Sequence, residues 1–353
     1  MAFVRPAKQP GSLGDLLGER RRGEELRELL KNASRIAAGV GPRELRVRGG
    51  ATGIVQGRHR SRGAGASTEF YEFRPYSVGD DAGRIDWKVY ARSDRLYLRR
   101  FAAETRQTVG LAIDCSPSML FRGLGPNAKD KPSKLEVALA MATAFGLITL
   151  RSGDRVAGIV SDPQRDKARV EIPALSGLGS LAELGGRMVE GAQIPETRTA
   201  RRRQALSADG LRDTLRSAAQ LSSTRGVGGS AMVILFSDAL GEPGEVLGAL
   251  EAARSSGTTG ALREVALIRI LTPEEADGPP IGTQRFVDSA LRGIGTAKWG
   301  RANTKAALEA YRTRMRAHRD TLRHGVLAMG GRYVEHRTSD DPAQALIKLL
   351  ESG

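Results

Sequence analysis

Sulfur and imidazole are scarce in this chain, which has one cysteine, Cys115, and four histidines, His59, His318, His324 and His336, among 353 residues. A lone thiol closes no internal disulfide and cannot by itself build a zinc site. The histidines show no metal-ligand spacing, so disulfide scaffolds and structural zinc domains are excluded. Aromatic residues make up 5% of the chain, and none is interleaved with the basic run Arg58-His59-Arg60-Ser61-Arg62, as the stacking platform of a single-strand nucleic-acid binder requires. No apolar run reaches the roughly 20 residues that cross a bilayer. The longest, Val137 to Leu150, contains Thr143, Gly146 and Thr149 and is expected to be a buried helix rather than a membrane span. The first residues, MAFVRPAKQPGSLGDLLGERRR, lack an apolar centre followed by a small-residue cleavage site, so a cytoplasmic location is expected. Two catalytic motifs are also missing. Without G-x-x-x-x-G-K-[ST] the chain is not expected to hydrolyse nucleotide, and no G-x-S-x-G elbow surrounds its serines.

What is present is a 40% hydrophobic, 27% charged chain, enough to bury one large core or two modest ones. Its net charge of +15 is unevenly spread, since the first 100 residues hold 21 Lys and Arg against 12 Asp and Glu. Residues 43 to 62 and Arg198 to Arg203 are the basic stretches that a nucleic-acid or anionic-surface binder would use. Because many of these charges are interspersed with acids or set among glycines, a solvated basic surface is the preferred reading and nucleic acid is not the favoured partner.

Apolar spacing predicts an amphipathic helix within residues 1–38 (Leu16, Leu17, Leu26, Leu29, Leu30, Ile36), followed by a Gly/Arg-rich loop or weak hairpin at 39–66. An extension at 67–105 leads into an α/β domain at 106–353. There, strands and helices alternate in the manner of a doubly wound, mostly parallel sheet. Val109 to Ile113 and Ala231 to Phe236 read as buried central strands, and Glu264 to Leu271 and Gly331 to His336 as further strands. Arg155 to Val160 with Ala168 to Ile172 reads as an antiparallel edge hairpin. The helix at Lys134 to Arg151 opens with a capping box, Ser133 and Glu136.

Both central strands end in an acid, Asp114 and Asp238, at the sheet edge where such folds bind ligands. Two close carboxylates repel, so one takes up a proton or a cation sits between them. After Asp114 comes Cys115-Ser116-Pro117-Ser118, which places two hydroxyls at alternate positions. These are hard oxygen donors suited to Mg²⁺ or Mn²⁺. The plainer alternative is that Asp114 and the serines only cap and turn the chain. A phosphatase with Asp114 as nucleophile ranks lower, because Ser116 stands where the general acid would be. Cys115 reads as a small buried hydrophobe ahead of a reactive thiol.

The D-x-S-x-S run with the later strand-end Asp238 resembles the metal-ion-dependent adhesion site of von Willebrand factor A domains. Upstream, Glu69-Phe70, then Arg74, Tyr76, Gly79, Asp80 and Asp81, then Arg84, Ile85, Asp86 and Trp87, then Arg92, resemble the signature of an uncharacterised bacterial family, domain of unknown function 58. The likeness extends through Gly153-Asp154-Arg155-Val156 to Tyr311, His318 and Gly331-Arg332-Tyr333. It implies a von Willebrand A-like fold, commonly encoded beside a MoxR-type AAA+ ATPase. The implied role is a non-enzymatic interaction module that uses a Mg²⁺ site to capture a partner's acid. Asp114, Ser116, Ser118 and Asp238 would be metal ligands. Ser207, or Asp209, stands where those domains supply a threonine. Within the signature, Tyr71, Phe73, Tyr76, Ile85 and Trp87 are expected to pack the extension on the sheet, with the Arg and Asp residues as a clamp or a partner surface.

Overall fold

The structure, a computed structural model, describes residues 13–43, 60–64, 70–77, 80, 83, 85–104, 107–124, 126–163, 168–194, 208–222, 231–255, 264–278 and 305–352. Its centre is a six-stranded sheet built from β4 (Thr108–Asp114), β5 (Arg155–Ser161), β6 (Arg169–Ser176), β7 (Ala231–Ser237), β8 (Glu264–Leu271) and β9 (Arg332–Arg337). The order is β6-β5-β4-β7-β8-β9, with every pair parallel except β5 with β6. The fold is therefore α/β and doubly wound, with the anticipated hairpin making its antiparallel edge. β4 and β7 read as unbroken apolar runs because a parallel sheet is covered on both faces.

Side chains alternate along each strand, and they sort into two cores. Val109, Leu111 and Ile113 of β4 join Met232, Ile234 and Phe236 of β7 on one face. Ala112, Val233 and Leu235 lie on the other. The first face is covered by α3 (Lys134–Arg151), α4 (Leu181–Ala192) and α9 (Pro342–Glu351), the second by α5 (Ala208–Leu221), α6 (Pro243–Arg254) and α8 (Lys305–Ala328). Helix α5 settles closely on β4 at Gly110, where a Cβ would stand 3.0 Å from the Ala218 carbonyl oxygen. α3 is apolar enough to raise the question of a membrane span, but 89% of its most apolar stretch is buried inside the protein.

Helix α1 (Leu13–Val40) adds a further layer outside the first face, against α3, α4 and α9. Ala33, Ile36, Ala37 and Val40 are buried there; of the apolar stripe read from the sequence, Ile36 is buried, Leu26, Leu29 and Leu30 are half-buried, and the side chains of Leu16 and Leu17 lie outside those described.

In chain order between α1 and the main sheet, β1 (Arg60–Ala64), β2 (Phe70–Pro75) and β3 (Tyr97–Glu104) form a small antiparallel sheet in the order β1-β3-β2. Helix α2 (Trp87–Ser93) is inserted before β3. The buried Asp86 caps it by accepting from the backbone N–H of Lys88 and Val89, and Asp94, at φ 51°, ends it. The packing role expected for Trp87 is not what the structure shows. Its ring is 61% exposed and meets Tyr90 edge to face at 6.1 Å, so it faces outward from α2 instead of joining the core.

Candidate functional site

Asp114 is the last residue of β4, and its lateral neighbour on β7 is Ser237 rather than Asp238. The Ser237 hydroxyl donates to Asp114 Oδ2 at 2.7 Å, and the Ser116 backbone N–H donates to Oδ1 at 2.8 Å. From Pro117 to Leu120 the chain makes one short 3₁₀ turn, which brings Ser118 back so that its hydroxyl oxygen lies 3.1 Å from that of Ser116. The Ser118 hydroxyl also lies on the Asp238 side of the turn, where it favours the ionised Asp238 carboxylate. Past β7, Ala239 adopts φ 46° and donates its N–H to the Ser237 hydroxyl, a turn that aims Asp238 back across the strand ends. The structure thus brings together Asp114, Ser116, Ser118 and Asp238. Asp114, Ser116 and Asp238 are buried, and Ser118 is half-buried. Ser207 lies outside the described residues, as do Gly79 and Arg84; Asp209 is on the first turn of α5 and exposed.

Three participants were not read from the sequence: Ser237, Lys134 and Glu275. Lys134 is the first residue of α3, its side chain is fully buried, and its ammonium donates to Asp238 Oδ2 at 2.8 Å and Glu275 Oε1 at 2.6 Å. Glu275 belongs to α7 (Pro273–Asp277), a short helix just past β8. A reciprocal capping box with Thr272 fixes Glu275, whose Oε2 accepts from the Thr272 N–H at 2.9 Å. Lys134 had a readable signal: it follows the recognised cap Ser133, and a lysine at a helix's first position opposes the helix dipole. Buried there, it needs carboxylates to compensate it.

Charge in this cluster is unbalanced, with three acids against one ammonium. Burial, and next the charge of Asp238, push the Asp114 carboxyl up to about 6, against the pull of its bonds to Ser237 and Ser116. Its folded value exceeds its unfolded one, so the protonated form favours the fold, and that contribution is lost as pH rises through about 6. Burial also opposes ionisation of Asp238, yet Lys134 outweighs it and holds Asp238 below the usual carboxylate range. Glu275 is raised, by burial first, with Lys134 offsetting part of that effect and Asp238 adding to it. Burial favours neutral Lys134, but Asp238 and Glu275 overcome it and keep the ammonium charged.

The backbone behind Asp238 is anchored as well. Arg269, fully buried on β8, donates to the Asp238 carbonyl at 3.1 Å and reaches Glu335 on β9 at 3.3 Å. His318 on α8 joins them: its Nε2 lies 2.8 Å from the Gly241 carbonyl and so donates, leaving Nδ1 to accept from Arg269 at 3.2 Å. His318 is thus a neutral packing residue, its basicity lowered mainly by burial. Cys115, the sole thiol, is buried, and its N–H donates to the Ser161 carbonyl at the end of β5.

In the signature segment, Arg74 lies on β2 and the Tyr76 N–H bonds the Leu96 carbonyl. Asp80 accepts from the Ser77 N–H, and Arg92 closes α2 on its exposed side. These residues shape the small sheet and its helix and are not brought into the acid cluster by any of these bonds.

Fold and cluster define a class: a doubly wound α/β protein with buried acids and hydroxyls at the sheet edge where such folds bind ligands. Over residues 72–321 the chain matches the family described as protein of unknown function DUF58, and it belongs to that family. The uncharacterized proteins Mb1516 of Mycobacterium bovis and Rv1480 of Mycobacterium tuberculosis are each 26% identical over 248 residues, which is 70% of this chain and 69% of theirs. Among solved structures, the conserved hypothetical protein BatB from Bacteroides thetaiotaomicron aligns over 70% of this chain and 98% of its own, with a TM-score of 0.38 and 17% identity.

Proposed function

We infer that the protein is a non-enzymatic interaction module, of the von Willebrand A-like kind, which uses a divalent cation at this sheet edge to capture an acidic group of a protein partner. The observation that carries the reading is the convergence of two buried acids, Asp114 and Asp238, with the hydroxyls of Ser116 and Ser118 around one turn. All four are hard oxygen donors, and the cluster keeps an excess of negative charge after Lys134 is counted, so its chemistry fits Mg²⁺ or Mn²⁺. A bound ion would supply a Lewis-acidic position open to a partner's carboxylate. Asp114 and Asp238 would hold it, Ser116 and Ser118 would orient toward it, and Ser237 would keep Asp114 in place. The partner class follows from the family resemblance, a MoxR-type AAA+ ATPase or its client.

Thermal unfolding with added Mg²⁺ or Mn²⁺, comparing the native chain with Asp114→Ala, tests the cation. Binding at a hundred times Kd adds about 2.7 kcal/mol to the folded state. The native chain should gain stability with metal and lose it to chelator, while Asp114→Ala responds to neither. A native transition that millimolar metal leaves unmoved overturns the reading.

A further inference from the structure

We propose that Lys134 is a tethered counter-ion that competes with the divalent cation for Asp238, and that Glu275 is the carboxylate that keeps the ammonium when the cation takes Asp238. The proposal rests on the cation reading above but concerns residues outside its donor set. Three observations support it. The ammonium sits between the two acids at hydrogen-bond distance from both, 2.8 Å and 2.6 Å, with its side chain wholly buried. Glu275 is held from behind by the Thr272 capping box, so its position does not depend on Lys134. Lys134 also occupies the first position of α3, where the dipole disfavours a cation, so helix formation alone does not account for it.

The arrangement has a consequence that simple scaffolding lacks. A positive charge bound to one metal-site acid weakens cation binding, and the acid that draws it away strengthens cation binding. Removing Lys134 and removing the charge of Glu275 should therefore move affinity in opposite directions. Glu275 links occupancy to α7 as well, because the ammonium shifts its hold from β7 toward the end of β8.

The test is Mn²⁺ binding to the full chain, read from the electron paramagnetic resonance of the free ion, with Mg²⁺ as competitor. Lys134→Met should bind Mn²⁺ roughly tenfold or more tightly than the native chain, because one nearby positive charge is gone. Its metal-free form should melt lower and recover with Mn²⁺. Glu275→Gln should bind roughly tenfold more weakly, the ammonium then being left to Asp238 alone. If Lys134→Met does not fold without metal, Glu275→Gln decides, and unchanged or tighter binding there overturns the proposal. Native binding with both variants unchanged, or both shifted the same way, overturns the proposal and leaves the cation reading standing. Absence of Mn²⁺ binding in all three overturns both.

Discussion

Single buried charges govern how this protein responds to its medium, and His336 on β9 is the clearest case. Its Nε2 is buried with no hydrogen-bond partner among the described residues, and burial holds its pKa down to about 4 against the opposing pull of Asp340 and Asp341. Because the folded value lies below the unfolded one, the neutral ring's contribution is complete above about pH 6.5 and is lost as pH falls toward about 4. The loss amounts to about 2–3 kcal/mol. Asp114 works with the opposite sign in the lower part of that window, so the informative quantity is a difference between variants. Denaturant unfolding should show the native chain losing that amount relative to His336→Phe between pH 7 and pH 4. Parallel pH profiles for the two proteins would remove His336 from the account. The sequence did not reveal this residue, because a histidine in a short strand carries no mark of whether its second nitrogen finds a partner.

Helix α3 shows how much an element's boundary can matter. Ser133 accepts from the Glu136 N–H, Glu136 accepts from the Ser133 N–H, and Arg122 grips the Glu136 carboxylate at 2.8 Å and 2.6 Å. Lys134 lies inside this box, directly after Ser133. Ser133→Ala should cost about 1 kcal/mol, within the 0.5–2 kcal/mol range of lost N-caps. Chemical denaturation should show the midpoint falling with an unchanged slope; an unmoved midpoint would mean that Arg122 holds the turn alone. The box was legible from Ser-x-x-Glu before an apolar run, as were β4 and β7 from unbroken apolar residues closed by an acid. Lys134 was not singled out, since it ends the polar stretch Lys129-Asp130-Lys131-Pro132-Ser133 and resembles its neighbours in composition. Glu275 was hidden for a related reason. Its helix has only five residues, too few to show a period, and a Thr-Pro-Glu-Glu segment reads equally as a turn.

At the scale of the whole molecule, α1 forms, among the described residues, an additional layer on the α3 side of the sheet. The strand order was legible only in part. Alternation implied a doubly wound sheet, but the adjacency of β4 and β7 that joins the two acids arises from crossovers between residues over a hundred positions apart. Charges in the strands, Arg269 and Glu264 within an apolar octad, gave no sign that they are fully paired inside. Glu264 meets the buried Arg332 of β9, and Arg269 meets Glu335. Cys115 offers a different use of this architecture. The chain's only thiol is enclosed between Asp114 and Ser116 and tied by its backbone to β5, so an alkylating reagent can reach it only when the loop opens. Its modification rate, divided by that of an unfolded control, is then the opening equilibrium of this loop. Mg²⁺ bound across Asp114 and Asp238 should slow that rate in proportion to occupancy, and a rate indifferent to the ion would separate loop opening from metal binding. The protein thus carries its own clock for the motion of the residues on which its proposed activity depends.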